Sequence, residues 1–274
     1  MKIPNENIRY PAVAGAFYPQ HERELRTMID KYLSIVNDTP VNGNFGKLRG
    51  LIVPHAGYVY SGPIAAYGYK LLSKFQHSIK NIVMIGPSHH AGFDGACEDG
   101  FNGWQTPLGI VMTGSLRESL NENGKKLIGM YPAAHEPEHC LEVQLPFLQV
   151  VMKSDFTVYP ILTGNIDPKK LAEAISKVIG DDTLIIASSD LSHYLPYEKA
   201  KQIDSIANKS IPAIDIETFT KQGDACGKIG ILTLMHIAKM KKWNGIMLDY
   251  RNSGDTAGPK SRVVGYGCYA FMDE

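Results

Sequence analysis

Short apolar runs recur along the chain, and each of them ends in polar or turn-forming residues. Four of these runs have the length of buried strands: Leu51–Val53, Ile82–Ile85, Val158–Leu162 and Thr183–Ala187. An apolar run of this kind is typical of a strand that helices cover on both faces. A fifth segment, Val263–Phe271, is rich in glycine and aromatic residues and alternates less regularly. It predicts a strand that is late in the chain or at a sheet edge.

Helical periodicity appears between the predicted strands. Segments 22–36, 169–179 and 229–240 each place apolar residues three and four positions apart, on one face of a helix. Strands that alternate with helices predict an α/β fold, with a mostly parallel or mixed sheet flanked by helices on both faces. No linker, charge block or internal repeat divides the chain. We therefore expect a single domain over residues 1–274.

Composition and charge exclude several classes of partner. Lys and Arg together number 28, as do Asp and Glu, so the chain lacks the basic excess of a nucleic-acid-binding protein. No apolar run approaches the ~20 residues of a membrane span, and the first residues show no signal-peptide core. The 4 cysteines form no CxxC pair, which is typical of reduced thiols. We expect a cytoplasmic protein that binds neither nucleic acid nor membrane.

Histidines follow three of the predicted strands at the point where each strand ends. The residues concerned are His55 after the first strand, Ser88, His89 and His90 after the second, and Asp190 and His193 after the fourth. Because the carboxyl ends of parallel strands meet at one sheet edge, these side chains are expected to converge. A lone histidine in such a turn is usually a hydrogen-bonding residue. Three at equivalent strand ends, with a carboxylate, favour a pocket for non-haem Fe(II) or Zn(II).

A second group of histidines and glutamates occupies positions 135–142, just before another apolar run. One interpretation is the acidic first turn of a helix, on which Glu138 and Glu142 would share a face. The other interpretation is a carboxylate ligand, or a partner that orients a histidine of the pocket, with His139 nearby. The sequence leaves both open. Cys226 is predicted to be a buried structural thiol rather than a nucleophile.

Taken in order, these motifs resemble those of the Memo family, whose prokaryotic members are often called AmmeMemoRadiSam system protein B. The matching segments are Arg9–Pro19, Pro54–Tyr58, Gly86–His90, Glu138–Pro146 and Ser188–His193. The resemblance implies a fold similar to that of class III extradiol dioxygenases, the non-haem Fe(II) enzymes that open catechol rings. It also implies that His55 and His89 bind metal, and that His193 is a catalytic acid or base beside Asp190.

A further metal ligand near the C-terminus is implied by the same resemblance. Animal Memo proteins place a cysteine ligand before an Arg-Asn pair, and Tyr250 stands at that position before Arg251 and Asn252. A phenol is a harder ligand that stays protonated at neutral pH unless a cation lowers its pKa. Asp190, Glu142 or water are the alternative ligands. The expected pocket residues around the metal are Ser88, His90, Glu138, His139 and Glu142.

The functional prediction is a metal-dependent oxidoreductase of unknown substrate. The resemblance favours Fe(II) as the divalent metal, with Zn(II) or Cu as alternatives, and a small molecule or a peptide as the ligand. His193, oriented by Asp190, would act as the general base. The alternative prediction is a non-catalytic module that binds a peptide or protein, or an accessory factor for a radical-SAM partner. The family name implies an association with a radical-SAM protein and an AMMECR-type protein.

Overall fold

The computed structural model describes residues 7–36 and 46–273, which together form twelve strands and ten α-helices. The strands are β1 (Ile8–Arg9), β2 (Leu48–Val53), β3 (Asn81–Pro87), β4 (Ala96–Glu98), β5 (Gly103–Thr106), β6 (Gly109–Thr113), β7 (Ile128–Met130), β8 (Thr157–Thr163), β9 (Thr183–Ser188), β10 (His193–Leu195), β11 (Asn244–Asn252) and β12 (Val263–Met272). The helices are α1 (Glu22–Ser34), α2 (Tyr58–Leu72), α3 (Glu122–Leu127), α4 (Pro132–His135), α5 (Leu145–Val151), α6 (Pro168–Ile175), α7 (Tyr197–Ser210), α8 (Ile216–Gln222), α9 (Lys228–Lys241) and α10 (Ser253–Thr256). Residues 1–6, 37–45 and 274 of the predicted single domain lie outside the described residues.

Four parallel strands form the centre of the sheet, in the order β8-β3-β9-β2. They contain the four buried runs predicted from the sequence. Successive side chains of a strand point to opposite faces, so Leu51 and Val53 pack with α1, α2 and α5, whereas Ile52 packs with α6 and α9. Helices therefore cover both faces of a mixed sheet, and the predicted α/β fold is confirmed.

Strand β12 is the fifth predicted strand, and it lies in the interior of the sheet. It runs antiparallel to β2 on one side and to β11 on the other. The strand is late in the chain as predicted, but it is not at an edge. Its glycines serve close packing, because the Asp204 carboxylate of α7 occupies the space that a Cβ atom at Gly265 would need.

The three predicted helices correspond to α1, α6 and α9. Helix α6 begins after Asp167, whose side chain accepts a hydrogen bond from the backbone N–H of Lys169, and Pro168 occupies its first position. Helix α9 is followed by its C-cap residue Lys242, which has a left-handed backbone conformation. None of the helices in the described part of the chain is long and apolar enough to cross a lipid bilayer.

The carboxyl ends of β3, β9 and β2 lie side by side because the three strands are parallel neighbours. The turns that follow them, and the first turn of α9, meet at this edge. Gly227 permits the contact with α9, since a Cβ atom there would stand 2.5 Å from the carbonyl oxygen of Ser188. The topology thus brings four separate chain segments to one place.

Candidate metal centre

His55 follows β2 directly and is almost fully buried, with 2% of its surface exposed. Its backbone N–H donates to Oδ1 of Asp190 at 2.7 Å. Its Nε2 atom lies 3.1 Å from Sγ of Cys226. Burial, together with the neighbouring His139 and His89, lowers the pKa of His55 well below its ordinary value. The ring is therefore neutral, which is the form that binds metal ions.

The hydrogen bonds around Ser188 fix which nitrogen of His55 carries the proton. The Ser188 hydroxyl donates its only hydrogen to the carbonyl oxygen of Cys140 at 2.6 Å, and accepts from Nε2 of Gln144. Oγ of Ser188 lies 3.0 Å from Nδ1 of His55, so Nδ1 must be the donor in this contact. The lone pair of His55 is consequently on Nε2, the atom that faces Cys226.

Glu138 orients two further histidines. Its Oε1 atom lies 2.9 Å from Nδ1 of His89 and 3.1 Å from Nδ1 of His139. Its two oxygens also accept from the backbone N–H groups of His89, His139 and Cys140. Burial alone would raise the pKa of Glu138, but the hydrogen bonds from His139 and His89 hold it well below its ordinary value. An ionised carboxylate requires both Nδ1 atoms to be protonated donors, so the lone pair of each ring in its neutral form is on Nε2.

Among the described residues, two groups of three side chains have the spacing of a metal site: His55 with His89 and Cys226, and His89 with Glu138 and His139. In each group the possible ligand atoms all lie within 4.8 Å of one another. Glu138 already accepts five hydrogen bonds and could bind a cation only by giving some of them up. The rings of His89 and His139 are stacked at 26°, so their in-plane lone pairs do not converge. The ring of His55 stands at 85° to that of His89, which favours the first group.

Cys226 is the residue of this group that the sequence interpretation missed. Its predicted role as a buried structural thiol differs from its place in the structure, where it is half-buried against His55. Sγ also accepts from the backbone N–H of Asp190 at 3.3 Å. Burial, followed by the Asp190 carboxylate, raises the pKa of Cys226 to about 12, so the thiolate requires a compensating cation. The available signal was Gly227, the glycine that lets this turn approach β9.

Tyr250, the expected third ligand, and Glu142, one of its alternatives, have other partners in the structure. The hydroxyl of Tyr250 donates to Oδ2 of Asp204 at 2.8 Å, and its ring packs with the cluster on the α9 side of the sheet. Glu142 is fully buried, forms a 2.7 Å ion pair with Arg9 and accepts from the hydroxyl of Tyr18 at 2.6 Å. Both side chains are thus hydrogen-bonded away from the two histidines, whereas the structure places Cys226 beside them. Nor does 138–142 form a helical face, since the chain is helical only from 142 onwards.

Asp190 and His193 lie on the turn that follows β9. The Asp190 carboxylate accepts from the backbone of His55, and burial raises its pKa. His193 begins β10 and is close enough for its charge to affect the pKa values of both His55 and Asp190. The structure thus brings His193 to the neighbourhood of the site and gives Asp190 a role in holding the His55 backbone.

Ser88 and His90 flank His89 but do not belong to either group of possible ligands. The Ser88 hydroxyl donates to the carbonyl oxygen of Ala91 at 2.8 Å and closes the turn that carries His89. His90 is exposed, and its ring centroid lies 6.4 Å from that of His139. Ser88 therefore shapes the pocket, and His90 stands at its margin.

Two histidines and a cysteine with the spacing of a metal site, at the carboxyl edge of a mixed α/β sheet, define a candidate metalloprotein. A family model described as "Memo-like protein" matches residues 9–270, and the chain belongs to this family. A "MEMO1 family protein" of Sulfolobus acidocaldarius is 36% identical over 97% of this chain and 100% of its own. Relatives of the same description from Methanococcoides burtonii and Aquifex aeolicus are 37% and 33% identical, over 94% and 97% of this chain and 98% and 99% of theirs. The family predicted from the motifs is confirmed.

Proposed function

We propose that this protein is a metal-dependent oxidoreductase whose divalent metal ion is bound by His55, His89 and Cys226. The observation that carries the proposal is that one atom from each of these three side chains lies within 4.8 Å of the other two. Two imidazoles and a thiolate form a donor set of intermediate softness, which suits Fe(II), Zn(II) and Cu. We favour Fe(II), because the sequence motifs resemble those of proteins related to the non-haem iron dioxygenases, and we keep Zn(II) and Cu as alternatives.

The surrounding residues fit a catalytic ion rather than a purely structural one. Three protein ligands leave a coordination position open, whereas structural sites are closed by four. A bound ion would supply Lewis-acid and redox chemistry at that position. Glu138 fixes the ring of His89, and Ser188 fixes that of His55, so both Nε2 atoms face the site before any ion arrives. We propose His193 as the acid or base toward the bound substrate, and the cytoplasm as the compartment, since Cys226 is a ligand only while reduced.

Metal analysis of four proteins tests the ligand assignment. Each protein is purified anaerobically without an affinity tag and measured by inductively coupled plasma mass spectrometry. We expect near-stoichiometric metal in the wild type and in Tyr250→Phe, less in Cys226→Ser, and none in His55→Ala/His89→Ala. Tyr250→Phe is the matched control for the ligand that the motif comparison alone would select. A metal-free wild type after reconstitution with Fe(II), Zn(II) and Cu refutes the proposal.

The alternative proposal is a module that binds a peptide or a partner protein without catalysis, or an accessory factor for a radical-SAM partner and an AMMECR-type protein. The observation that favours it concerns Tyr194, the residue after His193. Its side chain is 62% exposed, and its backbone has the positive φ of 60° that a bulky residue rarely adopts. The guanidinium of Arg262 lies 4.7 Å from the centroid of its ring. Exposed aromatic residues and arginines are frequent in protein interfaces. Partner capture that survives His55→Ala/His89→Ala but fails in Tyr194→Ala would support this alternative.

A further inference from the structure

A preformed cleft of about 600 Å³ adjoins the candidate metal centre on the side of Ser88 and Cys226. Its other walls come from the turn at 91–94, the end of β8 at 163–165, and Ile229 in the first turn of α9. Cavities of this size hold small organic ligands. The cleft therefore lies at the carboxyl ends of two parallel strands and shares Cys226 with the metal centre.

The wall of this cleft is held in place by backbone hydrogen bonds. The N–H of Asn165 donates to the carbonyl oxygen of Phe93 at 2.8 Å, and the N–H of Gly95 donates to that of Asn165 at 3.0 Å. Gly164 permits this contact, because the carbonyl oxygen of Phe93 occupies the space that a Cβ atom there would need. A cleft with a fixed wall needs little reorganisation to bind a ligand.

The chemistry of the wall points to a ligand without negative charge. Asp94 and Cys226 are the ionisable residues among those that line the cleft, so no lysine, arginine or histidine is present to pair with an anion. The polar side chains are already used within the protein: Asn165 donates to Asp94 at 3.1 Å, and Thr163 donates to the carbonyl oxygen of Gly86 at 3.1 Å. The remaining lining is mainly apolar, with Pro87, Ala91, Phe93 and Ile229.

A second cleft, of about 550 Å³, lies on another side of the candidate centre and is the main rival. It is lined by Phe17, Tyr58 and Met28, among others, and Phe17 packs against His139 with ring centroids 4.7 Å apart. None of His55, His89 and Cys226 forms part of its wall. A molecule in this second cleft would therefore be separated from the proposed ligands by Phe17 and His139.

We infer that the cleft beside Cys226 is the subsite for the organic part of the substrate, and that it takes an apolar group, such as an aromatic ring, that is neutral or cationic. The inference rests on the proposed metal centre, because it places the reacting end of the molecule at the open coordination position. It extends that proposal by excluding carboxylate- and phosphate-bearing rings at this subsite.

The probe for this inference is 4-phenylimidazole, whose imidazole nitrogen can bind the metal while its phenyl ring enters the cleft. Binding to the Zn(II)-loaded protein is followed by amide chemical shifts. We expect shifts clustered at 91–94 and 163–165, and binding at least about tenfold tighter than that of imidazole, since the phenyl ring leaves water. The analogue with a carboxylate on the phenyl ring should lose this advantage.

Gly92→Trp is the decisive variant. Gly92 lines the cleft and nothing lies within 4 Å of a Cβ atom added there, so we expect a tryptophan to be tolerated and its indole to reduce the space in the cleft. We expect it to abolish the advantage of 4-phenylimidazole and to leave imidazole binding unchanged. Gly129→Trp is the matched control, because Gly129 lies in β7, does not line the cleft and has only an ordinary contact at 3.8 Å.

Two results would overturn the inference: shifts centred on Phe17 and Tyr58, or phenylimidazole binding that Gly92→Trp leaves intact. Equal binding of the carboxylated analogue contradicts the predicted charge class. If Zn(II) itself does not bind, the proposed metal centre fails. The amide shifts of the metal-free protein with 4-phenylimidazole then still report whether the cleft takes the ring.

Discussion

The carboxylate of Glu138 holds two histidines of the site in one tautomer, and glutamine at this position tests that role. Glu138→Gln preserves the length of the side chain but replaces one oxygen with an NH₂ group. In the wild-type structure Oε1 of Glu138 accepts hydrogen bonds from Nδ1 of both His89 and His139. Its Oε2 atom accepts from the backbone N–H of His89 at 2.6 Å. The amide cannot satisfy both sides, because its NH₂ group would face an N–H donor.

The expected losses of stability and of metal affinity follow from the hydrogen bonds that the amide weakens. A hydrogen bond to a charged group contributes about 1.5–3 kcal/mol, so we expect the free energy of unfolding to fall by an amount in this range. Loss of a carboxylate that orients a ligating histidine reduces metal affinity by about 10- to 100-fold. We therefore expect Zn(II) binding to weaken by about 1.4–2.8 kcal/mol in Glu138→Gln.

Competition of the protein with a chromophoric chelator for Zn(II) measures this loss. Long-range ¹H–¹⁵N spectra of the imidazoles report separately whether Nδ1 or Nε2 carries the proton. Glu136→Gln is the matched control, because Glu136 is on the same turn and exposed. An unchanged Zn(II) affinity in Glu138→Gln, with both imidazoles still protonated at Nδ1, would refute the reasoning.

Three further outcomes follow from groups around the site. Arg9→Met leaves Glu142 buried without its charge partner, so the free energy of unfolding in urea should fall by about 3–5 kcal/mol. Adding Glu142→Gln should recover part of this loss, and a loss as small as that of surface ion pairs would contradict the prediction. Gly227→Ala should destabilise the fold by about 1–3 kcal/mol and weaken metal binding, since its Cβ atom would meet the backbone at the end of β9; unchanged melting and metal content would argue against the close approach. Burial lowers the pKa of His135 to about 4 and that of His55 well below normal, so below pH ~6.5 only the unfolded chain binds these protons. Stability of the metal-free protein should fall on acidification by up to about 1.4 kcal/mol per pH unit for each histidine, and a flat profile between about pH 7 and 5 would contradict this.

Hydrophobic pattern was sufficient for the central strands because each of them is buried on both faces. Ile82–Ile85 and Thr183–Ala187 are continuous apolar runs, and the structure places both in the middle of the sheet. Pattern was insufficient for β12, whose glycines weaken the apolar signal while serving contacts with α7. Position in a sheet depends on the partners of a strand, which periodicity does not report.

The histidines could be predicted from their place after strands, since parallel topology carries such residues to one edge. Cys226 could not be predicted in this way. It precedes a helix, and its contact with His55 spans 171 residues of sequence. The motif near Tyr250 suggested a ligand there, but the phenol hydroxyl donates a hydrogen bond to the Asp204 carboxylate. A ligand set is a property of side-chain directions, and these depend on how α9 packs against β9.

The hydrogen-bonding groups behind the histidines support the proposed metal centre. A pocket with neutral imidazoles could be satisfied by either tautomer, yet two acceptors impose the same one on three histidines. Ser188 accepts from Nδ1 of His55, while the single carboxylate of Glu138 accepts from Nδ1 of both His89 and His139. Every Nε2 lone pair is thereby directed away from these partners. Of these atoms, Nε2 of the buried His55 faces the Cys226 thiol, whereas His89 is exposed and His139 is half-buried, so all three nitrogens can bind a cation without breaking the hydrogen bonds that orient the rings. Burial raises the pKa of Cys226 to about 12, so without a cation its thiol is protonated. It then lies 3.1 Å from Nε2 of His55, the nitrogen that carries the lone pair.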